Sequence, residues 1–544
     1  MQRRDVLKFG GASAALLGLP SVGLAKQAWS VNPFSLGIAS GSPTSNSLVL
    51  WTRLGTPALD AAGLTTKPVA VTWQLAHDQQ FSRVAATGVV QATPALGYSV
   101  HAEVAGLEPG RAYFYRFIAG AANSTTGHTR TFPAPNADVK RLRLAYASCQ
   151  QWGNGYYSAY RHMLAENLDF VLFLGDYVYE YPSSRPVELR PTTGGWITTL
   201  AGYRSRYELH KSDPDLQALH AAYPWLVTWD DHEVQNDYAG THEGLSGTPV
   251  ENFMARRRAA YQAFYENMPV TRASFAKLLD GQGDEAKVFG SVSYGRLATL
   301  YMLDDRQHRD LQACSPNNRP GSARIDPSKC DILNQPQRTL LGNAQERWLS
   351  QQFASARSRW NLIGQQTLFG RRNYSTTGAQ LIRNDGWDGY PAARRRLTDS
   401  MMQTRLSNPI VLGGDIHENW VGHVLSDYNN PDCEAIGVEF CGTSITSLSS
   451  TTPAQIAQQL ELNPHFVFAN AASRGYGVVE LSPTQVTTTL TAVNDARDPK
   501  SGAFVLAKFA VEAGRAAVNS VSQVRQLRSF FASFRFESSL KSIC

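Results

Sequence analysis

The chain has 544 residues, which at about 150 residues per domain suggests two to four domains. Hydrophobic residues make up 43% and charged residues 18%, a balance that excludes a disordered polymer and allows sizeable cores. The formal net charge is only +6, and the densest basic runs are Arg256-Arg257-Arg258 and Arg394-Arg395-Arg396. Runs this short read as solvated helix faces or phosphate-facing clusters, so no nucleic-acid-specific site is expected. The six cysteines contain no Cys-x-x-Cys, which counts against zinc ribbons and thioredoxin chemistry.

Residues 1–25 read as a leader. Arg3-Arg4 precedes a weakly apolar run over 9–19, then Pro20 and a small-x-small site at Gly23-Leu24-Ala25. The run is about half of what a bilayer span needs, so no transmembrane helix is expected. The paired arginines point to the twin-arginine export machinery and a periplasmic or extracellular destination. Disulfides are admissible there, and Cys314 with Cys330 and Cys433 with Cys441 are short-range candidates. Strands over 48–52, 69–74, 99–107 and 113–117, with a Pro-Gly turn and Tyr113 as a candidate tyrosine corner, suggest a small fibronectin-III/Ig-like β-sandwich over 31–132. From 141 the texture changes to strands at 142–147, 170–174, 225–229, 297–303, 361–364 and 410–412. Helical stretches at 157–166, 251–265 and 343–354 lie among them, so an α/β catalytic unit is expected over 141–515. Antiparallel strands are expected near 478–482 and 486–491. Residues 516–544 read as an irregular or helical tail and a possible lid, ending in Cys544.

The chemistry follows the strands. Successive strand ends carry Ser148-Cys149, then Gly175-Asp176-Tyr177-Val178-Tyr179-Glu180, then Asp230-Asp231-His232-Glu233-Val234-Gln235-Asn236-Asp237. Two more carry Asp304-Asp305-Arg306 and Gly414-Asp415-Ile416-His417. Ligands of open α/β sheets bind beyond the carboxyl ends of strands. That much carboxylate at one sheet edge repels itself unless cations neutralise it. Asp415-x-His417 is expected to present both side chains on one face of an extended segment.

This constellation resembles the metallophosphoesterase superfamily, and more closely the PhoD-type alkaline phosphatases. Gly175-Asp176-x-x-Tyr179, Trp229-Asp-Asp-His-Glu-Val234, Gly414-Asp415-Ile416-His417 and Ala147-Ser148-Cys149-Gln150 carry the resemblance, with Asp385-Gly-Trp387-Asp388-Gly-Tyr390 and Leu303-Asp304-x-Arg306 beside them. It implies a four-layer αββα catalytic sandwich behind the N-terminal unit. It also implies Fe3+ held by Cys149, Asp176, Tyr179 and His417, and Ca2+ held by the bridging Asp176 with Asp231, Asn236 and Asp415; thiolate and phenolate donors suit ferric iron and oxygen donors suit calcium.

The expected reaction is phosphoester hydrolysis, of mono- or diesters, small or polymeric, by a metal-activated water. His232 would donate a proton and Arg306 or Arg383 would clamp the phosphate. No Gly-x-Ser-x-Gly occurs, which disfavours a serine nucleophile. Trp387, Tyr390 and Trp420 are read as surface aromatics that could floor a diester pocket. The rival readings are a phospholipase D-like headgroup hydrolase and a non-catalytic envelope binding protein.

Overall fold

The computed structural model describes residues 27–182, 189–192, 194–315, 320–375, 379–430 and 433–523. The leader, Cys544 and the tail beyond residue 523 lie outside the described residues.

Two large sheets organise the chain. In the ten-stranded sheet, Leu142–Ala147, Phe170–Phe173 and Pro224–Val227 run parallel at the centre, and Gly475–Leu481, Gln485–Val493, Ala503–Glu512 and Asn519–Gln523 extend one side antiparallel. In the seven-stranded sheet, Ala298–Met302, Trp360–Gly364, Pro409–Gly413 and Ala435–Cys441 are parallel neighbours. The central strands are apolar along both faces, as parallel strands covered on each side must be. Their period-two alternation assigns each side chain to a core. Leu144 and Leu172 meet Leu300, Leu362 and Leu412 between the sheets. Ala145, Val171 and Phe173 face outward onto Tyr160 and Met163 of Ser158–Leu164, Tyr203 and Tyr207 of Leu200–Lys211, and Phe264 of Phe253–Asn267. On the outer face of the smaller sheet, Tyr301, Ile363 and Val411 pack against Leu349 and Phe353 of Gly342–Ser355 and Leu397 and Met401 of Pro391–Gln403.

The N-terminal unit is joined to this frame by backbone. Val84–Ala92, Val69–Ala76, Ala112–Ala119 and Gly127–Arg130 form its own sheet. Its second face is made by Ile38–Gly41, Ser47–Arg53 and Ser99–Ala105, which continue the ten-stranded sheet: Ser40 pairs with Pro224 and Gly41 with Trp225. Leu50, Val100, Val71, Tyr115 and Phe117 fill the space between the two faces. The Tyr113 hydroxyl accepts from the Glu108 N–H at 3.1 Å, tying that strand to the turn before it.

Several expectations are corrected. Within the described part of the tail, Asn519–Gln523 form a strand paired to Ala503–Glu512. Cys314 and Cys330 are disulfide-bonded, with Cα atoms 5.9 Å apart, but Cys433 and Cys441 are free. The strand Ala435–Cys441 separates the latter two, and at about 3.3 Å per residue an extended strand carries them far beyond disulfide reach. Trp387, Tyr390 and Trp420 are buried, not surface aromatics. Each spends its polar atom internally, on Gln365, the Asp310 carbonyl and Glu418 respectively. In the run Arg256-Arg257-Arg258 the first two arginines are buried, donating to the Tyr203 hydroxyl and the Gly240 carbonyl.

Candidate metal centre and active site

The loops leaving five strand ends turn toward one another. Asp176 shares one cluster of candidate ligands with Cys149 and His417 and another with Asp231 and His232. Asp231 continues into a cluster with Asp230 and Asp415 and one with Asp237 and Asp385; within each cluster the ligand atoms lie within 4.8 Å of one another. Tyr179 joins the first cluster: its hydroxyl donates to Asp176 Oδ2 at 2.9 Å and lies 3.3 Å from His417 Nε2 and 2.6 Å from Ser447 Oγ.

Local backbone explains the convergence. Cys149, Asp176, Asp237, Asp415 and His417 all have positive φ, between 57 and 66°, a conformation costly for residues with a Cβ and concentrated at functional sites. Asp415 and His417 therefore do not sit on an extended segment as expected; two left-handed residues bring them to the centre. Gly175 lets two loops cross: a Cβ there would lie 2.5 Å from the backbone nitrogen of Asp230. The buried Glu233 carboxylate then staples the crossing, accepting from the N–H groups of Asp176, Tyr177 and Asp230 at 3.1, 2.6 and 2.7 Å.

Each imidazole is oriented through Nδ1. His417 Nδ1 is 3.0 Å from the Leu448 carbonyl, and burial together with Arg474 pushes its pKa down to about 4, so it stays neutral with Nε2 available. His232 Nδ1 is 2.7 Å from Glu180 Oε2. Burial opposes charge on His232, but Asp176, Asp231 and Glu180 outweigh it and hold its pKa well above the ordinary value. Burial and the neighbouring Asp176 push the Cys149 thiol and the Tyr179 phenol well upward, so a nearby cation is what would deprotonate them. Burial and mutual repulsion also raise Asp176 and Asp230.

Arg306 lies inside the carboxylate cluster. Its guanidinium is 1% exposed and engages Asp230, Asp385 at 2.6 Å and Asp415 at 3.0 Å. This corrects the expectation that Arg306 clamps a phosphate, because its donors are committed to carboxylates. Arg383, the other candidate, is exposed on the wall of a cleft of about 440 Å³ that also exposes Asp176, Asp231, His232, Asn236, Asp415 and His417. Asn236 gives its amide N–H to Ser246 Oγ at 3.1 Å, which leaves its carbonyl oxygen free for the cleft.

The donor set fits cations. Asp230 Oδ2 and Asp231 Oδ1 are buried yet have no hydrogen-bond partner among the described residues, a desolvation cost that a cation bound beside them would offset. Residues to which the sequence reading gave no role complete the centre. Glu180 and Glu233 orient it, Asp385 adds a carboxylate and Ser447 links Tyr179 to the Cys149 carbonyl. Arg474 donates from one nitrogen to the carbonyls of His417 and Ser447 at 2.6 and 3.1 Å. The two glutamates stand inside recognised motifs; Ser447 and Arg474 follow no strand-end signal and become visible only when the loops meet.

Comparison with known proteins agrees with this geometry. The family model for PhoD-like phosphatase matches residues 144–490, and that for the PhoD-like phosphatase N-terminal domain matches residues 21–133. The chain belongs to the PhoD-like phosphatase family. It is 39% identical to alkaline phosphatase D of Bacillus subtilis (strain 168) over 525 residues, covering 95% of this chain and 88% of that protein. A solved structure of PhoD superposes with a TM-score of 0.85 at 40% identity, covering 91% of this chain and 93% of the other. As a member of the family the chain is a metal-dependent phosphoester hydrolase with a mixed α/β fold.

Proposed function

We propose that the chain is an exported alkaline phosphatase/phosphodiesterase that holds Fe3+ through Cys149, Asp176, Tyr179 and His417, and Ca2+ through Asp176, Asp231, Asn236 and Asp415. One observation carries this reading: Asp176 is shared between a cluster with the Cys149 thiol and the His417 imidazole and a cluster with His232 and Asp231, and Asp231, whose Oδ1 is buried without a hydrogen-bond partner among the described residues, continues into carboxylate-only clusters. Bound there, the metals supply Lewis-acid charge at the phosphoryl oxygens and acidify a water.

The chain's own groups do the rest. His232, protonated and held through Nδ1 by Glu180, offers its Nε2 proton to the leaving oxygen or to a phosphate oxygen. Arg383, on the cleft wall, neutralises a non-bridging oxygen. Arg306 screens Asp230, Asp385 and Asp415 from one another. Thr367 fixes Asp415 through a 2.8 Å hydrogen bond. Charged and polar side chains outnumber the apolar Leu368, Tyr374, Trp387, Ile416 and Leu448 on the cleft wall, and Trp387 and Tyr374 show little of their rings to solvent. That favours hydrophilic phosphoesters over phospholipid headgroups.

The layers described above support the four-layer αββα reading, with 141–515 as the catalytic unit. The two-faced N-terminal unit supports a fibronectin-III/Ig-like sandwich over 31–132. The Arg3-Arg4 leader over 1–25 and the Cys314–Cys330 disulfide support twin-arginine export to the periplasm or beyond. No described helix is long and apolar enough to cross a membrane. The deciding assay is a panel of phosphomonoesters, phosphodiesters and phospholipids with metal-replete protein; preferential release of lipid headgroups would overturn the choice of substrate.

A further inference from the structure

We infer that Arg324, standing beside Arg383 on the cleft rim, forms a second anion-binding subsite that receives a negatively charged group of the substrate away from the reacting phosphorus. The inference rests on the phosphoester-hydrolase reading above. Arg324–Ile325 and Ile382–Arg383 pair antiparallel, with Arg324 opposite Arg383 and Ile325 opposite Ile382. The two-residue period separates the faces of this ribbon. Ile382 is buried with Ala313, Cys330 and Leu333, with Ile325 packed against them, and the Cys314–Cys330 disulfide ties this small core together. Both arginines are exposed and both line the cleft.

Like charges directly opposite one another on a ladder repel, so this pairing is destabilising unless something anionic lies between or before them. No carboxylate among the described residues pairs with either guanidinium. Nearby arginines differ: Arg309 is ion-paired to Asp385 at 2.9 Å, Arg372 to Glu418 at 2.8 Å and Arg394 to Asp388 at 2.6 Å. The ribbon is also held in place. The Asn384 side chain accepts from the Ala323 N–H at 2.7 Å and donates to the Ala313 carbonyl at 2.8 Å. The two arginines sit at different depths. Arg383 lies in the field of Asp415, Asp237 and Asp385, whereas Arg324 stands over the Tyr374 ring at 5.3 Å, a ring that Arg372 covers at 4.2 Å. Arg383 thus serves the reacting phosphate and Arg324 the next anion outward. The matching substrates are soluble phosphoesters with a second negative group a few bonds away, as in adjoining units of a phosphodiester polymer.

The test titrates the full-length, metal-replete protein calorimetrically with an alkane bisphosphonate and with the monophosphonate of equal chain length. One added charge-assisted contact corresponds to about tenfold tighter binding of the bisphosphonate. Arg324→Gln should bring the ratio of the two affinities close to one, and Arg324→Lys should restore part of it. A wild-type ratio near one, or a ratio that Arg324→Gln leaves unchanged, overturns the subsite. Aryl phosphodiester turnover by the same wild-type sample reports separately on the hydrolase reading, so the two can fail independently.

Discussion

On one side of Asp176 stand Cys149, Tyr179 and His417, and on the other a crowd of carboxylates, Asp230, Asp231, Asp237, Asp385 and Asp415. The first group is held by neutral partners: Tyr179 by Ser447, and His417 by the Leu448 carbonyl. Burial keeps the Cys149 thiol and the Tyr179 phenol protonated and keeps the His417 imidazole neutral. The second group is held by charge: Arg306 is buried among four carboxylates, yet Asp230 and Asp231 each still leave one oxygen without a partner. The first half needs a cation to create its anions, whereas the second needs one to tolerate them. Softness of donors and surplus of negative charge thus point to different metals in one connected site.

The largest effect is expected at the residue the halves share. Asp176→Asn removes charge from both, and a loss of several kcal/mol of transition-state stabilisation predicts a drop in turnover of about a thousandfold or more on an aryl phosphodiester. Near-normal turnover would break the claim that Asp176 joins the halves. Next is Arg306→Ala. Removing one partner of a buried ion network costs about 3–5 kcal/mol, and denaturant unfolding should show that loss in calcium-free protein and a smaller loss with calcium present. Equal losses in both conditions would mean that Arg306 and calcium do not share the same carboxylates. His232→Gln keeps shape but removes the proton donor, and a fall of about a hundredfold in kcat with little change in unfolding midpoint is expected from steady-state kinetics. An effect of similar size, on stability alone, lies outside both halves. Cys314→Ser with Cys330→Ser opens the loop under the arginine ribbon, and by loop entropy thermal unfolding should register a loss of about 3 kcal/mol.

Much of this comparison was legible in the sequence because strand ends announce themselves. An apolar run followed by Gly175-Asp176 or Gly414-Asp415 marks both the end of a buried strand and the start of a loop. The six central strands fall within a few residues of where alternation and composition place them. Edge strands were harder to see. Val84–Ala92 is largely exposed and carries little hydrophobic alternation, so nothing in its pattern separates it from a loop. Roles that depend on where a side chain ends up were harder still. Arg306 follows an Asp-Asp pair, a position that suits a phosphate-binding arginine, but burial turns it inward onto carboxylates contributed by three other loops. Trp387 and Tyr390 sit among charged residues in sequence, yet their ring area drives them into the core beneath the cleft. The joining of the N-terminal unit through Ser40 and Pro224 depends on a pairing between segments nearly two hundred residues apart, which no local signal encodes.

The central claim is that one site holds two unlike metals, with Tyr179 on the iron side. The most direct measurement is elemental analysis together with visible absorption of the exported protein and its Tyr179→Phe variant. The account predicts iron and calcium in the wild-type protein, a visible band from phenolate bound to ferric iron, and loss of that band in Tyr179→Phe with calcium retained. An active wild-type protein that is colourless and free of iron would contradict it.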